Sequence, residues 1–199
     1  MPYIKQIDRE RFEQHITSVL GIMNDTNDNP YIKGEFFGYF LNRLVRKFIG
    51  TADYTAPAFN STSFNLSKKK TLENAADSIA ALVNRSDPNT GAGDLNYSVS
   101  AIYWGFLGAC KDFSSASYGM RAYMNGIVDK VLSQIGNIEI ATAGSKSDAT
   151  MAFRRHIVVR GVLDHIKHET YRVMTVPYED IKEADNGGVW KQGELVKKA

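Results

Sequence analysis

Apolar residues recur at three- and four-residue spacing in six separate segments of this 199-residue chain. This spacing places them along one face of an α-helix, whereas a half-buried β-strand would alternate apolar and polar residues. Hardly any segment of the chain alternates in that way. We therefore predict a mainly α fold, an irregular bundle of about six helices with one long C-terminal helix.

Capping and turn residues predict where the first three helices begin and end. Asp8 is the predicted N-cap of the first helix. Pro30 suits the first turn of the second helix, and Gly50 ends that helix. Residues 51–70 are rich in Ser, Thr and Asn, which predicts a long surface loop, so we place the cap of the third helix at Thr71.

The C-terminal half contains three further helical patterns. Asp94 opens the fourth helix, and Ser114 or Ser115 caps the fifth, while residues 137–144 allow a short strand. Asp148 begins the longest helix, and Pro177 prevents its smooth continuation beyond Met174, before a short helical turn over residues 178–184. The predicted buried side of the longest helix consists of Val159, Val162, Leu163, Ile166, Val173 and Met174.

Length and composition indicate one domain and a reducing compartment. We predict a single helical domain over residues 1–190 and a flexible tail over residues 191–199. Lys and Arg number 24 against 22 Asp and Glu, and this balance does not favour nucleic acid or a membrane surface as a partner. The single cysteine, the charged N-terminus and the lack of a long apolar run predict a cytoplasmic protein without a membrane span.

The densest polar cluster is the segment from Asp164 to Arg172, in which His165 and Glu169 lie one helical turn apart. Imidazole and carboxylate are both metal ligands, so this geometry could hold an ion. The order HxxHE is not a zinc signature, however, and solvated ion pairs on a helix surface explain the same residues. We predict no metal and no cofactor.

Other catalytic patterns are missing or weak. The sequence has no Gly-x-Ser-x-Gly elbow and no phosphate-binding loop, so we assign no catalytic residue. Two helices carry basic residues that would suit a phosphate, but near-neutral net charge favours solvated faces. These residues are Arg43, Arg46 and Lys47 on the second helix and Arg154, Arg155, Arg160 and Lys167 on the longest one.

Several short motifs carry a resemblance to a known group of proteins. They are MPYIKQ at residues 1–6, GDLNY at 93–97, GVL at 161–163, ExYR at 169–172 and PYED at 177–180. With them the chain resembles small uncharacterised proteins of phages and prophages, for which no activity is established. Residues 30–90 correspond to an apparent insertion that shorter relatives lack.

The resemblance implies which positions to test for ligand binding. Nine residues match the recurring pattern of the group: Asp94, Asn96, Tyr97, Glu169, Tyr171, Arg172, Tyr178, Glu179 and Asp180. They could be structural, as helix caps and local ion pairs, or could line a pocket in which tyrosines stack on a ligand and Arg172 binds an anion. His165 and His168 depart from the pattern of the group, which weakens the metal-site hypothesis.

Three functions remain open from the sequence. The first is a phage-type accessory protein in the host cytoplasm that binds a host protein, itself or a small anionic ligand. Aromatic residues in the 54–64 loop and on the second helix, namely Phe36, Phe37, Tyr39 and Phe40, favour self-association. The alternatives are a metal-dependent all-α phosphohydrolase using Asp94, Glu169, Glu179 and Asp180, and a structural component of the virion.

Overall fold

A computed structural model describes residues 4–25, 30–50, 65–86, 91–109, 113–136 and 146–186. All regular secondary structure in these ranges is helical, which confirms the predicted helical bundle. The helices are α1 (Gln6–Asn24), α2 (Pro30–Ile49), α3 (Leu66–Ser86), α4 (Ala92–Ala109), α5 (Phe113–Gly136), α6 (Lys146–Thr170) and α7 (Val176–Asn186), with a π-helical segment (Tyr171–Thr175) between the last two. None of these helices has the length and apolar character to cross a membrane.

Several predicted N-caps lie inside their helices, since α4 begins at Ala92, before Asp94, and α5 begins at Phe113, before Ser114 and Ser115. Helix α1 begins at Gln6 after Lys5, whose carbonyl accepts a hydrogen bond from the backbone N–H of Asp8. Asp8 is therefore a first-turn residue, where its charge complements the helix dipole. Asp148 is likewise the third residue of α6. Carboxylates are favoured both at the cap and in the first turn, so sequence alone does not separate the two positions.

The third helix begins five residues before the predicted cap. The Asn65 side chain accepts a hydrogen bond from the backbone N–H of Lys68 at 2.9 Å, so Asn65 caps α3. The hydroxyl of Thr71 instead donates to the carbonyl of Ser67 within the helix. The C-terminal part of the predicted loop is therefore helical, while residues 51–64 and the predicted strand at 137–144 lie outside the described part of the chain.

Contacts at the ends of α1, α3 and α4 establish their relative directions. Arg11 pairs with Asp94 near the start of α1 and α4, and Leu20 lies against Gly105 near the end of both helices. Helices α1 and α4 are therefore parallel. Helix α3 is antiparallel to α1, because Lys68 at its start pairs with Asp25 just after α1 ends.

Helix α2 lies at the centre of the bundle and packs against α1, α3, α4, α5 and α6. It is parallel to α3, because Tyr39 bonds to Glu73, and Arg43, one turn later, bonds to Asp77. It is also parallel to α5, because Gly34 lies close to Tyr123, and Asn42, further along, bonds to Gln134. Helix α6 is antiparallel to both α2 and α5. Near its start Arg155 donates to the carbonyl of Phe48, and near its end Lys167 bonds to Asp129.

The aromatic residues of α2 are internal, contrary to the prediction that they favour self-association. Phe36, Phe37 and Phe40 are fully buried, and Tyr39 is 5% exposed. Because α2 packs against five other helices, Phe36, Phe37, Tyr39 and Phe40 all meet other helices although they point in several directions. The Phe37 ring lies 5.8 Å from that of Tyr103 and 6.5 Å from that of Phe106. Helices α2 and α3, in the segment 30–90, therefore both contribute to the core.

Candidate functional site

The C-terminal rod, defined as α6, the π-helical segment and α7, carries most of the predicted site residues. Pro177 is predicted to prevent smooth continuation of the long helix. In the structure α6 ends at Thr170, the π-helical segment follows, and Pro177 is the second residue of α7. A proline lacks the N–H that would bond back one turn, and it is tolerated in a first turn. The π-helical segment precedes it, and the N–H of Val176 bonds to the carbonyl of Tyr171 five residues back.

Two side-chain contacts organise the polar residues of this region. The guanidinium of Arg172 donates two hydrogen bonds to the carboxylate of Glu169, at 3.0 and 2.7 Å. These bonds lower the pKa of Glu169. The hydroxyl of Tyr171 donates to Glu179 at 3.1 Å and so connects the π-helical segment to α7. The structure thus brings Glu169, Tyr171, Arg172 and Glu179 into one neighbourhood.

Asp94, Asn96 and Tyr97 lie in a different environment, near the start of α4. The buried carboxylate of Asp94 accepts a hydrogen bond from Arg11 at 2.8 Å. Asn96 is buried and accepts from Ser100, four residues along the same helix. The ring of Tyr97 is 6.3 Å from that of Phe12 and packs under the guanidinium of Arg9. Asp94 and Tyr97 thus connect α4 to α1, whereas the hydrogen bond of Asn96 stays within α4.

The helix directions separate these two groups. Helices α4 and α6 are parallel, since each is antiparallel to α2. Asp94 is in the first turn of α4, whereas Glu169 is in the last turn of α6. The nine residues therefore do not converge on one pocket. The fold places Asp94, Asn96 and Tyr97 toward one end of the bundle and the Glu169 group toward the other.

Helix α7 is the least packed helix of the structure. It packs against the π-helical segment, and every side chain described beyond Val176 is exposed, including the predicted site residues Glu179 and Asp180. The side chain of Tyr178 lies outside the described part of the chain. Ile181 is 60% exposed among these acidic residues. Sequence reasoning missed Ile181, because a single apolar residue between charges gives no periodic pattern.

The exposed side of the rod contains further apolar residues. Val173, predicted to be buried, is exposed, because the π-helical segment breaks the 3.6-residue register on which that prediction depends. Tyr171 is also exposed, as are Phe153 and Ile157 on the outer face of α6. Val159, Val162, Leu163 and Ile166 are buried as predicted.

Some of the basic residues form hydrogen bonds or ion pairs with neighbouring helices, and others do not. Arg43 forms two hydrogen bonds of 2.8 Å to Asp77, and Arg155 caps the end of α2 at the carbonyl of Phe48. Lys167 binds Asp129 at 2.6 Å. By contrast, Arg154 and Arg160 are exposed and form no hydrogen bond or ion pair with any described residue. Two cations of α6 are thus available at the surface.

The histidines of the polar cluster do not meet a full set of metal ligands. His165 is partly buried, its Nε2 atom has no hydrogen-bond partner among the residues described, and His168 is exposed. Glu169, the carboxylate one turn from His165, is bonded to Arg172. No group of three or more His, Cys, Asp or Glu side chains suited to a metal occurs within the described ranges.

Comparison with known proteins gives one match. The model of a domain of unknown function, DUF6899, matches residues 1–189 of the chain. No curated protein and no solved structure matches.

Proposed function

Because the chain belongs to the DUF6899 family, whose function is unknown, we propose from its geometry that it is a non-enzymatic protein that binds another protein through α7. The observation that supports this proposal is the exposure of α7. An eleven-residue helix is too short to be stable by itself, and helices in proteins are stabilised mostly by packing one face. A partner that covers Ile181 would provide that packing.

Exposed apolar side chains support the same assignment. Tyr171, Val173 and Ile181 are all exposed on the π-helical segment and α7, and the acidic residues of α7, Glu179, Asp180, Glu183 and Asp185, are exposed beside Ile181. An apolar centre with a polar rim is typical of protein interfaces. The phage-type origin and the cytoplasmic location that the sequence suggests remain part of this proposal, as does the role of an accessory protein.

A small anionic ligand at Arg172 is less well supported. The side chain of Arg172 is exposed, but its Nε and Nη2 atoms already donate to Glu169. An incoming anion would have to displace this bidentate carboxylate, which is a strong form of ion pair. Protein binding through α7 requires no such displacement.

The phosphohydrolase alternative is also less well supported. A shared magnesium site would need Asp94, Glu169, Glu179 and Asp180 to converge. Asp94 is bonded to Arg11 at the end of the bundle away from Glu169. A virion component would use the same exposed surface, and mass spectrometry of purified particles distinguishes it from an accessory protein.

Affinity capture from cells that carry the gene tests the proposal. We expect the wild-type chain to retain a specific protein, either another chain or a differently tagged copy of itself. The substitution Ile181→Arg should reduce that protein at least about tenfold, because it places a charge in an apolar contact. Ile7→Arg is the matched control, since Ile7 is 74% exposed on a different helix, α1.

Circular dichroism of the wild type and the two variants establishes that each is folded. We expect the same helix content in all three, because both substitutions are at exposed positions. If the wild type and Ile181→Arg retain the same proteins in the same amounts, α7 is not the binding surface. Loss of the protein from both variants would also contradict the proposal, because Ile7 lies outside the surface.

A further inference from the structure

The outer face of α6 carries a patch that combines apolar and basic side chains. Ile157 is 54% exposed and Phe153, one turn earlier, is 51% exposed. Arg154 and Arg160 lie three residues before and after Ile157, so they flank it on the same face. Gly161, one turn after Ile157, has open space beside it. We call these five residues the α6 patch.

The exposed face of α7 carries a patch of the opposite charge. Ile181 is its apolar centre, and Pro177, Ala184 and Asp185 lie three or four residues away on the same face. Asp180 borders it and forms no hydrogen bond or ion pair with any residue described. We call Pro177, Asp180, Ile181, Ala184 and Asp185 the α7 patch. An isoleucine thus has arginines beside it in one patch and carboxylates beside it in the other.

We propose that the partner of α7 is a second copy of this chain, whose α6 patch receives the α7 patch; this inference rests on the proposed function. Ile157 of one copy packs beside Ile181 of the other, and the arginines meet the carboxylates around them. Opposite charges at the rim of an apolar contact set its orientation and speed its formation. Two small residues, Gly161 and Ala184, allow the helices a close approach.

The two patches of one molecule are not able to meet each other. Helix α6 passes through the π-helical segment into α7 without a loop, so the rod is helical from Lys146 to Asn186. Ile157 and Ile181 are 24 positions apart in the numbering, which corresponds to about 35 Å along a helix at 1.5 Å per residue. A second molecule is needed to bring the patches together.

A symmetric dimer satisfies both patches of both molecules. Each molecule carries one α6 patch and one α7 patch, so in a closed dimer the contact occurs twice. Two-fold dimers of this closed kind are the commonest homo-oligomers.

Charge reversal tests this arrangement, with mass in solution measured by light scattering and sedimentation. The wild type is expected to be a dimer that weakens as salt is raised, because salt screens the rim charges. One variant combines Arg154→Glu with Arg160→Glu, and a second combines Asp180→Lys with Asp185→Lys. Each alone should dimerise at least about tenfold more weakly, because like charges then face each other.

An equimolar mixture of the two variants should recover the dimer. In the mixed pair, the unchanged acidic α7 patch of the first variant meets the unchanged basic α6 patch of the second. The acidic α6 patch of the first variant likewise meets the basic α7 patch of the second, so both contacts again join opposite charges. Arg85→Glu combined with Lys130→Glu is the control, since both residues are exposed on other helices, and it should dimerise as the wild type does.

Three results would overturn the dimer. They are a wild type that stays monomeric at the highest attainable concentration, variants that dimerise as well as the wild type, and variants that are monomeric alone but do not pair when mixed. Failure of the dimer is distinguishable from failure of the proposed function. A monomer that still captures a different protein, and loses it on Ile181→Arg, retains α7 as a binding surface.

Discussion

Two carboxylates of the predicted site each pair with an arginine, but in different surroundings. The side chain of Asp94 is 9% exposed in its pair with Arg11, and that pair joins α4 to α1. Glu169 pairs with Arg172 three residues away; its own side chain is 15% exposed, and the pairs differ mainly in the arginine, which is 69% exposed in Arg172 and 33% exposed in Arg11. Losing one partner of a buried pair leaves a desolvated charge, whereas exposed pairs contribute little to stability.

We therefore expect Asp94→Asn to lower the free energy of unfolding by about 1 to 3 kcal/mol, because a charged hydrogen bond to Arg11 is weakened. Glu169→Gln is the matched change in the exposed pair and should cost about 0.5 kcal/mol or less. Urea denaturation of both variants measures the difference. Equal losses would show that burial does not distinguish the two pairs.

At the scale of helices, glycine allows α2 and α5 to approach closely. A Cβ atom at Gly34 would overlap the ring of Tyr123 and touch Ile127. Tyr123 is held in place, because its hydroxyl donates to the carbonyl of Tyr31 at 2.9 Å and its ring packs edge-on against that of Tyr31. Gly34 is thus required by packing, not by an unusual backbone conformation.

Gly34→Ala should lower the free energy of unfolding by about 1 to 3 kcal/mol, because the added methyl group forces α2 and α5 apart. Gly21→Ala is the control, since Gly21 lies in α1 with nothing near its Cβ position. That substitution should raise the free energy of unfolding by about 0.5 to 1 kcal/mol, because alanine favours the helix. Thermal melts of both variants test the prediction, and shifts of the same sign would contradict it.

At the scale of the whole molecule, the position of α2 should make the bundle unfold as one unit. It contacts five other helices, and its Phe37 packs against two rings of α4. Removing support from α2 therefore weakens all of these interfaces together. Helix α7, exposed beyond the π-helical segment, contributes little to this core.

Phe37→Ala should lower the free energy of unfolding by about 3 to 5 kcal/mol, as expected for a large buried ring. Far-ultraviolet dichroism, which reports helix, and near-ultraviolet dichroism, which reports aromatic packing, should give one coincident transition. Ala184→Pro, which breaks α7, should leave the midpoint of that transition unchanged. Separate transitions by the two probes would indicate that the bundle consists of independent units.

Local features were predictable wherever the nearest neighbours along the chain decide the structure. Apolar spacing predicted the helices, and Pro30 and Gly50 marked the bounds of α2, where Gly50 has the positive φ of 88° that favours glycine. Local rules failed where two residues compete for one role, as Asn65 and Thr71 do at the start of α3. They failed again at Val173, because the π-helical segment shifts the register.

By itself, the sequence determined that the chain forms helices with apolar faces, since helical periodicity depends on residues three and four positions apart. Tertiary structure alone decided that the rings of α2 are internal, that Asp94 meets Arg11, and that Glu169 lies toward the opposite end of the bundle. It also decided that α7 remains exposed. These outcomes depend on which helix faces pack together and in which direction, and such contacts join residues far apart in the chain.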